Sequence, residues 1–398
     1  MKAVGDPTSP EPAGQLLTDA QFAVPDDVPG LLASHARRLG AIDAAIFLVD
    51  YEQRVLTPLP RPGGPHRQAV TVEGTLAGRA FSTLSPQWSA DSSLVWMPLV
   101  EGNERLGVVG YEMSGPIGPG FLDTLLRLTA EVAELVVTKT KYGDFFEHYR
   151  RLQPMSIASE LAWQLLPPLT FGCERLVISG AMAPAYDLGG DTFDYGVDSD
   201  TARIAVFDAM GHGLEAGLLA TVAVAAYRNS RRQRLKLGET AAAVDEAIAV
   251  RFGTERFVTA VLADLDLATG RFRWIRAGHP APLLLRGSKV VKTLWGDGGQ
   301  PLGLGFPGGE MEESLEPGDQ VVFFTDGVTE ARSPDGTFFG TDRLADLVSR
   351  ASAGGLPPPE TLRRLMHSIL DHEAGDLADD ATAVLVEWAG QGKESFEP

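Results

Sequence analysis

Cysteine is nearly absent, with Cys173 the sole one in 398 residues. Neither an intrachain disulfide nor a cysteine-rich zinc site can be built from it, and a reducing compartment fits. Long apolar runs are missing too. No stretch approaches the ~20 uninterrupted apolar residues of a membrane span, and the N-terminus carries Asp6, Glu11 and prolines instead of a basic segment before an apolar core. These features predict a soluble, unexported, cytoplasmic protein. Basic residues are in deficit: 34 Lys and Arg against 53 Asp and Glu give a formal charge of -19. Nucleic acid and anionic membranes gain affinity mainly when cationic side chains neutralise their phosphates, so no nucleic-acid or membrane partner is expected.

What is present is a chain too long for one ordinary core, and two domains are expected. An apolar fraction of 44 % with 8 % aromatics is that of a folded globular protein. Residues 1–24 and 390–398 lack sustained periodicity and read as disordered tails. Over 25–140, LLASHARRLG reads as an amphipathic helix, AAIFLVD and RVLTPL as strands, TLAGRAFSTL as a helix, and LVWMPLV with RLGVVGYEM as an antiparallel pair, together a small α+β domain. In FLDTLLRLTAEVAELVVTKTKY, Leu128, Val132 and Leu135 share one helical face. That face reads either as a dimer seam, giving a homodimer through this domain and the linker helix, or as a surface packed on its own domain. Residues 141–170 read as a helical linker, ending where Pro167 and Pro168 stop SIASELAWQLL. Over 171–389 strands follow one another through short turns such as DLATGR and LRGSK, with helical patterns at Glu215 to Arg231 and Thr240 to Arg251. The fold class is α/β (α+β), with a C-terminal antiparallel β-sandwich flanked by helices rather than a doubly wound sheet.

Four acids stand at the edges of apolar runs: Asp191 in GGDTFD, Asp208 in VFDAMGHG, Asp326 in VVFFTDG and Asp379 in ADDATAVLV. An aspartate before glycine is ordinary turn chemistry when met alone. Four in the same setting point to a metal site, because hard divalent ions take oxygen ligands and two such ions can activate a water for attack on phosphorus. Gly189, Gly190, Gly211 and Gly213 fit either plain turns or close backbone approach around such a site. Asp194, Asp264 and Asp266 read as solvated loop or hairpin residues, and His279 in AGHP as a turn residue.

In chain order, LLPPL, GGDTFD, FDAMGHGLEAG, FVTAVLADLDLATG, AGHPAPLLLRG, PLGLG, LEPGDQVVFFTDGVTEAR and DDATAVLV span about 165 to 388. This ordered set resembles the metal-dependent serine/threonine protein phosphatases of type 2C, in their bacterial SpoIIE-like branch. The resemblance implies two divalent cations, Mn2+ or Mg2+. Asp208 matches the carboxylate bridging them, the Ala209 carbonyl a backbone ligand beside it, Asp191 the other ligand of that second metal, and Asp326 and Asp379 ligands of the first. Asp380 matches a polar residue that supports the site. Asp208 and Asp191 would then act in catalysis through a metal-activated water. Met210 stands where eukaryotic relatives carry a histidine acid, and Asp187 where they carry a phosphate-binding arginine, as in the SpoIIE-like branch generally. His212 is a substitute acid or a structural turn residue.

Residues 25–140 resemble a GAF sensory domain, which implies an unidentified small ligand or none; the absence of cysteine before Cys173 excludes a thioether-linked bilin, and His35 and His66 are isolated. The resemblance implies hydrolysis of phosphoserine or phosphothreonine on a signalling protein, a STAS-type anti-sigma-factor antagonist, regulated by the GAF-like domain through the linker helix. The competing readings are a non-catalytic sensor or scaffold and a two-metal nucleotide phosphodiesterase.

Overall fold

In Thr201–Ala209, Ala202, Ile204 and Val206 fall on one face and Ala205, Phe207 and Ala209 on the other, and all six are buried. A strand buried on both faces belongs in the middle of a layered structure. The computed structural model describes residues 14–390 apart from 116–117, 188, 306, 375–376 and 378. It divides into two compact units, Met1–Gln153 and Pro154–Pro398.

The N-terminal unit has strands β1 (Asp43–Val49), β2 (Val55–Pro58), β3 (Val70–Thr71), β4 (Gln87–Trp88), β5 (Leu94–Glu101) and β6 (Glu104–Glu112) in one antiparallel sheet of order β3-β2-β1-β6-β5-β4. Its helices are α1 (Gln15–Asp19), α2 (Val28–Arg38), α3 (Leu76–Thr83), α4 (Pro119–Lys139) and α5 (Phe145–Arg150). Leu128, Val132 and Leu135 of α4 are buried with Ile46, Leu48, Met97 and Val109 of the sheet, so this face packs on its own unit and is not open as a dimer seam. The other sheet face carries Phe47, Leu56 and Val108 against Ala77, Ala80 and Phe81 of α3. Part of the expected N-terminal tail is ordered: Leu16 of α1 is buried, and the Glu131 carboxylate accepts from Gly14 N at 2.7 Å and Leu16 N at 3.1 Å. Five residues are too few to show a helical period. The rest of that tail, 1–13, and 391–398 lie outside the described residues.

The C-terminal unit contains α6 (Ile157–Leu165), β7 (Thr170–Cys173), β8 (Leu176–Ala183), β9 (Asp191–Val197), β10 (Thr201–Ala209), α7 (Gly213–Arg232), α8 (Leu237–Phe252), β11 (Val258–Asp266), β12 (Arg271–Ala277), β13 (Leu283–Arg286), β14 (Lys289–Thr293), β15 (Met311–Ser314), β16 (Asp319–Phe324), α9 (Asp326–Glu330), α10 (Gly340–Ala353), α11 (Pro358–His372) and β17 (Ala381–Trp388). The strands form two antiparallel sheets, β15-β12-β11-β10-β9 and β14-β13-β16-β17-β8-β7. Ile204, Val206, Val261 and Phe272 of the first sheet share a core with Ile178, Val321, Phe323 and Val384 of the second. On the outer face of the first sheet, Phe207, Ala260 and Leu262 meet Ala216, Leu219, Ala223 and Tyr227 of α7, spaced three and four residues apart. Val322, Phe324 and Leu385 do the same for the second sheet against α10 and α11.

The result is four layers, helix-sheet-sheet-helix. A fully buried phenylalanine such as Phe323 contributes about 1.5–3 kcal/mol by burial, and Phe323→Ala would cost about 3–5 kcal/mol because the sandwich cannot collapse on the cavity. Helices α10 and α11 are absent from the sequence reading, although Leu362, Leu365, Met366 and Ile369 carry a helical spacing. Among the described residues, no helix is long and apolar enough to cross a membrane.

Candidate metal centre

The sandwich brings two strand pairs together at one end. Asp191 opens β9 and stands directly opposite Asp208 of β10, and Thr259 of β11 stands opposite Asp208 on its other side. From the second sheet, Thr325 follows β16, Asp326 opens α9, and Asp379 and Asp380 lead into β17. Hydrogen bonds then tie the sheets. Thr325 Oγ1 donates to Asp191 Oδ2 at 2.7 Å and accepts from Thr382 N at 3.0 Å. Asp380 Oδ2 accepts from Gly189 N at 2.6 Å and, more weakly, from Asp191 N at 3.4 Å. Two glycines permit this closeness: a Cβ on Gly190 would lie 2.3 Å from the Ala209 carbonyl oxygen, and one on Gly327 only 1.9 Å from the Asp380 carbonyl oxygen. Neither position accepts a side chain without moving the backbone that carries the acids.

Burial pushes the Asp191 carboxyl well above its ordinary range, and the negative charges of Asp208 and Asp380 push the same way. Asp208 is pushed up to about 7, first by burial and then by Asp326, with Asp379 and Asp380 adding to it and the Thr259 hydroxyl opposing. Asp380 rises to about 6 through burial, against the stabilising Gly189 N–H. Burial and Asp379 raise Asp326. Asp379 is exposed. Among the described residues none of the five pairs with lysine or arginine.

Oxygen donors sharing a strongly negative, partly buried site fit a hard divalent cation, Mg2+ or Mn2+, better than a soft one. Among the described residues no three His, Cys, Asp or Glu side chains are already gathered about one point. A divalent cation would draw the oxygens of these carboxylates together against the repulsion between their charges.

The remaining candidates fall elsewhere. His212 is exposed at the start of α7 and its side chain caps no backbone N–H. Asp187 is exposed. Asp194 corrects the solvated reading: it is 1 % exposed and bound by Arg228 (2.8 Å) and Arg231 (3.1 Å). Asp264 is likewise buried, beside Arg203 and Arg273. Asp266 is the hairpin residue expected, accepting from Ala268 N and Thr269 N.

Sequence reasoning missed Thr325 and Thr259, and it undervalued His279. His279 is 1 % exposed, and its Nδ1 lies 2.7 Å from Thr259 Oγ1, which is 3.2 Å from Asp208 Oδ2. Burial draws the imidazole down to about 3, against the opposing influence of the Phe324 backbone, leaving it neutral, and among the described residues Nε2 has no hydrogen-bond partner. Thr325 stands immediately before Asp326 in the sequence and could have been found from that, whereas Thr259 is placed opposite Asp208 only by the strand register.

Residues 198–389 match the family model for SpoIIE, Stage II sporulation protein E. Phosphoserine phosphatase RsbU of Bacillus subtilis is 22 % identical over 264 residues, 63 % of this chain and 77 % of RsbU. Phosphoserine phosphatase RsbP of the same organism is 25 % identical over 212 residues, 50 % of this chain and 49 % of RsbP. Among solved structures, the SiaA-PP2C domain of Pseudomonas aeruginosa aligns with a TM-score of 0.49 at 22 % identity, covering 58 % of this chain and 94 % of that domain. Residues 198–389 are thus similar to the SpoIIE family of PP2C-type protein serine/threonine phosphatases.

Proposed function

We propose that the C-terminal unit uses two divalent cations, Mn2+ or Mg2+, to hydrolyse phosphoserine or phosphothreonine on a STAS-type anti-sigma-factor antagonist. The observation that carries this reading is the set of mutually repelling carboxylates that, among the described residues, have no cationic partner and are delivered to one end of the sandwich by four different strands. Divalent cations held there would offset the charge of the phosphate and lower the pKa of a water, supplying a nucleophile near neutral pH. The chain's own part is to hold oxygens in place. Asp208, Asp191, Asp326, Asp379 and the Ala209 carbonyl are the ligands in this reading. Thr325 fixes the Asp191 carboxylate, and Asp380 anchors the Gly189–Asp191 backbone, so neither needs to touch a cation.

Regulation by the N-terminal unit, read as GAF-like, is the second part of the proposal. That unit holds a cavity of about 640 Å³ lined in part by Pro29, Leu59, Arg61, His66 and Tyr149, large enough for a small ligand. His35 is no haem ligand in this reading, being buried and bound to Asp19. Within the C-terminal unit, α6 packs on α7 and β9, Trp163 Nε1 donates to the Ala185 carbonyl at 2.8 Å, and Arg228 reaches the Leu165 carbonyl. A shift of α6 is thereby transmitted to the segment that leads into Gly189–Asp191. Deleting residues 1–140 tests this: unchanged activity and metal affinity would remove the regulatory part alone.

The scaffold reading draws on the carboxylates of the described residues not being pre-gathered. Calorimetric titration with Mn2+ separates the two, since a scaffold has no need of millimolar or tighter binding. Assaying a cyclic dinucleotide beside a phosphoserine protein separates the phosphodiesterase reading.

A further inference from the structure

We propose that His279, acting through Thr259, is a positioning residue that sets the orientation of the Asp208 carboxylate. The inference rests on Asp208 being a metal ligand. Thr259 is paired directly opposite Asp208 in the β10–β11 register, and its hydroxyl lies between Asp208 Oδ2 at 3.2 Å and His279 Nδ1 at 2.7 Å. At 1 % exposure the imidazole is beyond the reach of substrate, so it cannot act as an acid on the leaving group. Its backbone is fixed as well. Arg276 Nη1 donates to the His279 carbonyl at 2.8 Å, and Gly278, at φ +69°, stands so close to Pro301 that a Cβ would meet the ring at 2.7 Å. The turn leaves β12, the neighbour of β11, so one sheet places both the carboxylate and the ring that steadies it. A buried imidazole committed to a hydroxyl that touches a ligand has the form of the outer hydrogen-bond partners that orient metal ligands.

Counting protons orders the chain. A carboxylate bound to a cation only accepts, and Thr259 has a single proton, which it must donate to Asp208 Oδ2. The threonine oxygen then accepts from His279 Nδ1–H, and the neutral ring carries no proton on Nε2, the buried nitrogen that has no hydrogen-bond partner among the described residues. The loaded protein therefore holds His279 as the Nδ1–H tautomer. The opposite tautomer, with the proton on Nε2, would leave two oxygens facing each other at Thr259 and Asp208 with no proton between them.

Two measurements on the full chain test this. The first is 15N NMR of histidine-labelled protein loaded with Mg2+. The Nδ1–H tautomer is expected for the His279 signal, identified by its loss in His279→Asn, and the Nε2–H tautomer would overturn the proposal. The second is calorimetric Mn2+ titration. His279→Ala and Thr259→Val should each weaken affinity by about 10- to 100-fold, whereas His279→Asn, whose amide N–H can replace Nδ1–H, should stay within about threefold of wild type. Wild-type affinity in Thr259→Val, an isosteric change that keeps the fold even where His279→Ala does not, would overturn it. Asp208→Asn separates the two failures. Lost Mn2+ binding there with unchanged binding in Thr259→Val refutes only the positioning role, and unchanged binding in Asp208→Asn refutes the metal reading and this inference with it.

Discussion

Removing the charge of Asp208 should stabilise the metal-free protein while destroying its response to metal. The Asp208 carboxyl is pushed up to about 7 from an ordinary 3.8, chiefly by burial and by Asp326. Between those values the folded state holds a proton that the unfolded chain has released. Stability from this group is thus fully present below about pH 4 and is lost as the pH rises through about 7. The difference is about three pH units at about 1.4 kcal/mol each, so an ionised Asp208 costs about 4 kcal/mol at pH 8 in the absence of cations. An asparagine keeps the volume and the dipole but also loses water, so about 1–3 kcal/mol of that should be recovered in Asp208→Asn. For a unit of this size, that is a rise in Tm of roughly 3–10 °C.

The assay is thermal unfolding in EDTA at pH 5, 6.5 and 8, repeated with Mn2+. Wild type in EDTA should lose stability across that range and regain it with Mn2+, because a ligand that binds only the folded state stabilises by mass action. Asp208→Asn should be flatter with pH, more stable in EDTA at pH 8, and insensitive to Mn2+. If the variant melts below wild type in EDTA at pH 8, the repulsion argument is wrong.

Two further changes probe the support of the site. Thr325→Val removes the donor to Asp191 and leaves Thr382 N–H without its acceptor, so denaturant unfolding should show a loss of about 1–3 kcal/mol, with weaker Mn2+ binding by calorimetry. Asp194→Ala leaves the partly buried Arg228 and Arg231 without their shared carboxylate and should cost about 3–5 kcal/mol, while Mn2+ affinity in the protein that remains folded is retained.

The sandwich was legible because its strands advertise themselves. Within VVFFTDG and RIAVFDAM the stretches VVFF and IAVF are wholly apolar, as strands covered on both faces require, and turns such as DLATGR and LRGSK are too short for crossover helices. Helices α10 and α11 were less visible, because charged residues such as Arg363 and Glu360 dilute an apolar stripe that only the second sheet explains. The acids themselves could be picked out by their neighbours. The threonine partners could not: Thr325 bonds to a residue 134 positions away, and the support given by Asp380, through its contact with Gly189, 191 positions away, was implied only by the family resemblance. Asp194 was misread for the same reason. The arginines that neutralise it lie on α7, and alternation along β9 alone does not say what packs over the strand.

The most direct measurement is Mn2+-dependent phosphate release from a phosphoserine STAS-type protein, comparing wild type with Asp208→Asn and Asp326→Asn. Release by wild type that requires Mn2+ and falls by at least a hundredfold in both variants, about 2.7 kcal/mol or more in the barrier, is the predicted result. Release that persists in EDTA, or that survives in either variant at the wild-type rate, would contradict a metal centre built on these carboxylates.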